Sequence, residues 1–392
     1  MLVPKVSPEA IPLWKVRQLY LIKHHLLKKA GRKDLVKVVG DVCGLHAQAA
    51  RSPYLALWSR VEGFEDELLD KALFEDKSLV KTWVMRGTLH IVPSAELPVY
   101  NRSLRRMWFE HHGRFMRAPE WPPIEQRRNQ IYPRILQALT QKPLKRKDLG
   151  DKVRLLLKDD SQPYRRLFSG WGGILKETAY EGLTVHAEPC ERESCFARLS
   201  QWLPKIELNG VSEQEAQKRL FIEYLHGYGP ATQQDFSLWS GLMAGDARKA
   251  IENASPVVEQ IQVVGAKGQR WILKEDMRAL DSIDPTEPTP ARLLPKFDSI
   301  LLGHKDRSRI INDQHKKLVF RSKAGDIAAT VLIDGQISGI WKHTRKRHTL
   351  AVAIKPFGKM AKDDLEEVEQ QARELSKYMG AEELDFSTES YS

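Results

Sequence analysis

An α+β chain, made of tandem winged-helix (helix-turn-helix) motifs and closed by a β-rich, barrel-like C-terminal domain, is the architecture this sequence predicts. Three observations predict it. Segments of helical period lead repeatedly into short two-stranded ribbons before residue 283, a proline-rich connector, DPTEPTP, fills residues 284 to 290, and beyond it the apolar period changes from helical to alternating. The resulting division has four units: 1–116, 124–205 and 206–283, each winged-helix-like, and 291–392, strands with a terminal helix.

The first unit opens with Leu13, Val16, Leu19, Tyr20, Ile22, Leu26 and Leu27, a buried helical stripe over Leu13 to Ala30. Gly31 and Arg32 separate it from a helix over Leu35 to Cys43, and Pro53 suits the first turn of a third that runs to Arg60. A helix over Glu65 to Phe74 precedes strand-like runs at Leu79 to Met85 and Thr88 to Val92, with Gly87 between them. Leu97 to Phe115 mixes aromatic and basic residues at helical spacing, among them Arg102, Arg105, Arg106 and Trp108. It reads either as a surface that tracks a nucleic acid or as a core stripe with a solvated basic face. Ala118 to Pro123, APEWPP, is linker.

The second unit has a helix over Gln126 to Thr140, a turn gathering Lys142, Lys145, Arg146 and Lys147, and a helix starting near Asp148. A further helix lies within Tyr164 to Tyr180, and Leu183 to Ala187 with Ser194 to Arg198 makes a hairpin. Its SGWGGILK run lacks the Gly-Lys-Ser/Thr ending of a phosphate loop, which excludes a nucleotide-dependent enzyme of that type. In the third unit Ser212 and Glu215 form a capping box, and the helix Glu213 to His226 stops at Gly227. Gly229-Pro230 leads into Ala231 to Ser240, Gly241 turns the chain, and Gly245 to Asn253 follows. Val257 to Val264 and Gln269 to Leu273 form the wing.

Past the connector, Ile327 to Asp334, Gln336 to Lys342 and Leu350 to Ile354 alternate as strands, Asp334-Gly335 is a tight hairpin turn, and the helix Lys362 to Tyr378 packs on them. KHTRKRH, Lys342 to His348, is the densest positive patch, either a solvated hairpin tip or a rigidly projected anion contact.

Composition narrows the function classes. In 392 residues, 62 Lys and Arg stand against 51 Asp and Glu, a formal net charge of +11, which favours a polyanionic partner. No apolar run reaches membrane length, so no membrane role is expected. Three cysteines, Cys43, Cys190 and Cys195, are too few and odd in number for a disulfide framework, and with no secretory signal in MLVPKVSPEA they point to a cytoplasmic protein. His186 with Cys190 and Cys195 lacks a fourth ligand, so no metal and no cofactor are expected.

The stretch that organises the chain is Gly44-Leu45-His46-Ala47-Gln48-Ala49-Ala50-Arg51-Ser52-Pro53-Tyr54. His46 and Gln48 are two side chains able to hold a water. In a helix, positions i and i+2 diverge by roughly 200°, whereas in extended chain they share a face, so a joint role requires a break in helical geometry. Gly44 permits that break. The bland reading has both residues capping a helix end.

GLHAQ followed by RSPYLALWSR resembles the catalytic segment of the AlkZ/YcaQ family of winged-helix DNA glycosylases. Members of that family resist DNA-alkylating antibiotics or repair alkylated and crosslinked DNA, and carry Gln-x-Gln, Gln-x-Asp or His-x-Gln here; this chain has the third form. The likeness continues in KTWVMRGTLHIVP (Lys81 to Pro93), GYGPATQQDFSLWSGL (Gly227 to Leu242), LLPKFDSILLGHKDRS (Leu293 to Ser308) and TVLIDGQISGIWK (Thr330 to Lys342). It thus spans about Leu13 to Leu384.

The resemblance implies a monofunctional glycosylase, acting without a cofactor and as a monomer on double-stranded DNA that contains alkylated guanine. His46 and Gln48 are its implied catalytic pair. An N7-alkylguanine already carries positive charge, so the enzyme need only stabilise an oxocarbenium-like sugar and deliver water. Gln48 can orient that water; His46 can also take its proton. No lysine is placed in the motif to form a Schiff base. Bulky natural-product adducts and interstrand crosslinks stand beside simple N7 adducts as substrates.

Arg51, Arg86, Thr88, His90, Asp306, Arg307, Lys342, His343, Arg345, Lys346 and Arg347 are the candidate DNA contacts. Arg86, Thr88 and His90 alternate onto one face if the strand is regular, or else satisfy buried polar groups. Asp306 and Arg307 match the family's LLG-x-x-DR element, or pair with each other. The rival reading is a non-catalytic winged-helix DNA-binding protein, a transcriptional regulator, which has the same charge and fold.

Overall fold

The computed structural model describes residues 10–110, 121–158, 166–168, 173–191, 193–321 and 325–389. The chain forms two compact units, each assembled from separate segments. One contains Met1–Asp66, Ile222–Leu238 and Asn253–Ser392, the other Glu67–Phe221 and Trp239–Glu252. The residues expected as helix beyond Glu110, the first half of APEWPP, and parts of Tyr164 to Tyr180 lie outside the described residues.

In the first unit the opening helix is Leu13–Lys23, shorter than the apolar stripe suggests, because His25 takes a left-handed φ of 53° and ends it. Val16 and Leu19 pack on Ile261, Val263 and Ile272 of the hairpin Val258–Ile261 and Arg270–Leu273, and on Leu280 of the helix Lys274–Asp281. Lys23, buried, pairs with Asp276 at 2.5 Å. Tyr20, Tyr224 and Tyr228 pack around His24 and His304 in the interior, edge-on or tilted to the imidazoles. Because a buried hydroxyl needs a partner, each tyrosine donates to backbone. Tyr20 reaches Ile300 O at 2.7 Å, Tyr224 reaches Gly303 O at 2.7 Å, and Tyr228 reaches Val42 O at 3.1 Å and Ser299 O at 3.2 Å. Buried Cys43 donates to Glu223 O at 3.0 Å.

Ser212 Oγ accepts from Glu215 N at 3.2 Å, as a capping box requires, and the helix it starts runs to Tyr228. It therefore does not stop at Gly227. A Cβ there would lie 2.6 Å from Asp41 O and 3.0 Å from Cys43 Sγ. The glycine serves close approach to the end of the helix Leu35–Asp41 and not a turn.

The C-terminal sheet has five strands, Arg292–Leu294, Thr330–Ile333, Gln336–Lys346, Thr349–Pro356 and Glu383–Thr388, in that spatial order. Asp334 and Gly335 turn the central hairpin with φ of 47° and 69°. The last strand runs parallel to its neighbour, reached through the helix Lys362–Tyr378, whose Val368, Ala372 and Leu375 are buried. The barrel-like expectation is thereby corrected. A parallel strand joined by a helical crossover leaves an open mixed sheet with an edge on each side, where a barrel requires the first and last strands to pair.

In the second unit, strands Leu79–Trp83 and Leu89–Pro93 form a hairpin and Thr184–Cys190 pairs with Glu193–Arg198. In the helix Leu97–Glu110, Trp108 is core, stacked on Tyr180 at 4.8 Å. Its arginines are held internally: Arg105 pairs with Glu181, and Arg106 with Glu110, Glu213 and Asp246. The solvated-face reading of that helix fits these contacts better than a nucleic-acid surface. Cys190 and Cys195 form a disulfide, against the expectation of reduced thiols, because the paired strands bring Cα atoms five residues apart to 6.0 Å.

His186 lies between Trp83 and Phe196, 5% exposed, and burial, with the charges of Lys81 and Arg146 adding, pushes its imidazole well below the usual range. The folded protein therefore keeps it neutral while the unfolded chain binds a proton below about pH 6.5, so this residue removes stability as pH falls through that value. His186→Phe is expected to gain on the natural protein by up to about 1.4 kcal/mol per pH unit below 6.5. Urea unfolding at pH 7 and pH 5 measures it, and an equal difference at both would refute the assignment.

Candidate active site

The segment around His46 is extended because the helix before it is ended and pinned. After Asp41 the chain turns through Cys43 (φ 53°) and Gly44 (φ 91°), with Cys43 N donating to Gly40 O at 2.7 Å and Gly44 N to Val39 O at 2.8 Å. This left-handed exit satisfies the helix carbonyls and directs the chain into the short strand Leu45–His46. The break in helical geometry expected at Gly44 is there. Asp41 fixes the exit: His25 Nε2 lies at 2.7 Å, Lys37 Nζ at 2.6 Å and His226 Nε2 at 3.1 Å. Burial alone would raise its carboxyl, but those three contacts win and hold it well below the usual range, while the hydrogen bond to Asp41 raises His226.

His46 and Gln48 differ in access. His46 is 6% exposed, whereas Gln48 is exposed in the bend that follows. Ser52 N then donates to Ala49 O at 3.0 Å, and Pro53 opens the helix Ser52–Trp58. The His46 ring stacks on Phe297, with centroids 4.6 Å apart and planes inclined by 18°. Phe297 has a φ of 58°, a backbone region that bulky residues rarely enter. Its neighbours hold it there. Asp298 and Arg60, both fully buried, form a two-pronged pair at 2.6 and 2.9 Å, Asp298 Oδ1 also accepts from Ile300 N at 3.0 Å, and Ser299 Oγ donates to Gly44 O at 3.1 Å.

The remaining candidates fall in several places. Exposed Arg51 donates to Asp66 at 2.5 Å and to Tyr378 Oη at 3.2 Å, and lies over the Tyr54 ring at 4.7 Å. Arg86 is in the turn Met85–Gly87 with φ 54°, so strand alternation does not align it with Thr88 and His90; it donates to Trp239 O. Thr88 Oγ1 donates to Met85 O at 2.8 Å, and His90 is buried with Nδ1 3.0 Å from Thr88 O. Asp306 and Arg307 do not pair with each other. Asp306 accepts from Ser308 N at 3.0 Å, and Arg307 donates to Leu301 O at 3.1 Å while lying 4.0 Å over Phe320. Asp235, in a reciprocal cap with Thr232, steadies this loop by accepting from Lys305 N at 2.8 Å.

The basic patch spans the hairpin Gln336–Lys346 and Thr349–Pro356. Lys342 pairs with Glu389 at 2.6 Å, Arg345 donates to Met379 O and Gly380 O, and Lys346 and Arg347 are exposed. His343 stacks on Trp341 at 5.3 Å. Burial, reinforced by the positive charge of Arg51, pushes its imidazole below the usual range. Sequence reasoning does not single out Arg60, Asp298 or Phe297; their only signal is an unusual pair of charges inside apolar runs. Among the described residues no group of three or more His, Cys, Asp or Glu is arranged to hold a metal, and no helix is long and apolar enough to cross a membrane.

The chain as a whole is similar to known proteins. The interstrand DNA cross-link repair glycosylase of Streptomyces sahachiroi is 26% identical over 385 residues, 95% of this chain and 98% of that protein. The solved structure of the Streptomyces sahachiroi DNA glycosylase AlkZ superposes with a TM-score of 0.83 at 25% identity, covering 97% of this chain and 100% of the other, which matches the mixed α+β fold. The family described as DNA glycosylase AlkZ-like matches residues 39–378, from just before the His46 segment to the end of the last helix, so the chain belongs to the AlkZ-like DNA glycosylase family.

Proposed function

We propose that this protein is a monofunctional glycosylase that hydrolyses the N-glycosidic bond of N7-alkylguanine in double-stranded DNA, bulky adducts and interstrand crosslinks included, through His46 and Gln48. The observation that carries the reading is the left-handed exit at Cys43 and Gly44, which takes His46-Ala47-Gln48 out of helical geometry in a chain of this family. The bond from C1′ to N9 breaks with its electron pair passing to the cationic base, which leaves neutral. Water adds to C1′ and gives up a proton. Gln48, exposed, orients that water through its carboxamide, and His46 accepts its hydrogen bond and then the proton. The first, helical portion is read as tandem winged-helix modules that deliver the duplex to this segment.

Incubation with duplex containing N7-methylguanine, followed by alkali, is expected to yield strand breaks at the adduct. Unchanged DNA across several N7 adducts would leave the non-catalytic DNA-binding reading. The exposed Lys346 and Arg347 are proposed to neutralise backbone phosphates. Replacing both by alanine is expected to flatten the slope of log affinity against log salt by about 2, roughly 0.9 for each phosphate no longer neutralised, with no change in preference among sequences. Fluorescence anisotropy across a salt series measures this, and an unaltered slope would remove the hairpin tip from the interface.

A further inference from the structure

A phenylalanine held in a left-handed conformation needs a reason, since backbone strain of this kind persists only where its surroundings over-determine it. At Phe297 they do: the buried Arg60–Asp298 pair and the Ser299 bond to Gly44 O grip the next two residues, and Gly44 belongs to the exit that shapes the His46 segment. The same loop thus fixes the backbone of the His46 strand and lays a ring over its imidazole at 4.6 Å. Phe297 is itself only partly buried, so the strain is not that of a core residue forced to fill a void. An aromatic face also attracts a cation, so a ring in this position favours the imidazolium that forms when the imidazole takes a proton.

We infer that Phe297 is a positioning residue for His46: its ring sets the plane of the imidazole and stabilises the protonated form produced when the attacking water gives up its proton. The inference rests on the glycosylase reading of His46. Phe297→Leu removes the ring but keeps apolar bulk, and Phe297→Tyr keeps the ring. The leucine variant is expected to slow single-turnover excision of N7-methylguanine about tenfold with unchanged affinity for the adducted duplex. It is also expected to move the His46 titration midpoint, read by NMR on histidine-labelled protein, about half a pH unit lower. The tyrosine variant is expected to keep both within twofold of the natural protein. Phe297→Met serves as a second ring-free variant should the leucine chain fail to fold. Wild-type excision in the ring-free variants, or slowed excision with an unmoved His46 midpoint, would overturn the inference. The NMR midpoint is read without substrate, so failure of the His46 reading itself, seen as full excision by His46→Ala, is distinguishable.

Discussion

His46→Ala is expected to lower single-turnover excision of N7-methylguanine by about 10²–10⁴-fold, the range a positioned general base contributes, while binding to undamaged duplex stays unchanged. Gln48→Ala is expected to lose about 10²–10³-fold, since a carboxamide that orients water supplies aligned dipoles but no basicity. The double variant is expected to fall by less than the product of the two, because on this proposal both groups act on one water. His46→Gln is the more telling substitution. It creates a Gln-x-Gln triplet, one of the forms in the family this chain resembles, and glutamine cannot titrate. It should therefore retain more activity than alanine and lose the part of the pH–rate profile in which activity falls as His46 becomes protonated. The measurement is alkali-revealed strand breakage under enzyme excess, corrected for spontaneous depurination. Wild-type rates in both alanine variants would show that the segment shapes the protein without performing chemistry.

Much of this arrangement is legible in the residues because local rules are obeyed. The Ser212–Glu215 cap, the Asp334-Gly335 turn and the helix Lys362–Tyr378 all follow from short-range preferences, and the structure has each where the sequence puts it. The kink at Gly44 is legible for the same reason. What escapes the sequence depends on distant partners. The strand Glu383–Thr388 carries only two alternating apolar residues, Leu384 and Phe386, too brief a period to stand out before it lies along Thr349–Pro356, and Arg292–Leu294 is shorter still. Arg86, Thr88 and His90 look alternating in one dimension, but a left-handed residue at Arg86 takes it off the strand. Phe297 and Asp298 sit inside a motif that is recognisable as a whole, yet their partners, His46 and Arg60, lie some 240 to 250 positions earlier in the chain. No sequence window joins them.

Asp298→Ala is expected to destabilise the unit that holds the His46 segment by about 3–5 kcal/mol, because it leaves the Arg60 guanidinium buried with its charge unpaired. Both side chains are fully buried, so water cannot take the place of the missing carboxylate. Some of Arg60 is held independently: its Nη1 also donates to Ala56 O and Ser59 Oγ, both at 3.0 Å. Those neutral acceptors satisfy hydrogen-bonding geometry without neutralising charge, which places Asp298→Asn between alanine and the natural residue. Replacing both partners, Arg60→Met with Asp298→Leu, is expected to recover part of the loss, since a buried pair contributes less against an apolar replacement than against a broken half. Recovered stability without recovered excision is the predicted signature. The apolar pair can fill the space, but it cannot cap Ile300 N or hold the Phe297 loop in its strained turn against His46. Urea unfolding and excision measured on the same four proteins decide it: if the double variant regains both, Asp298 is a packing residue only, and the link from this buried pair to the His46 segment is broken.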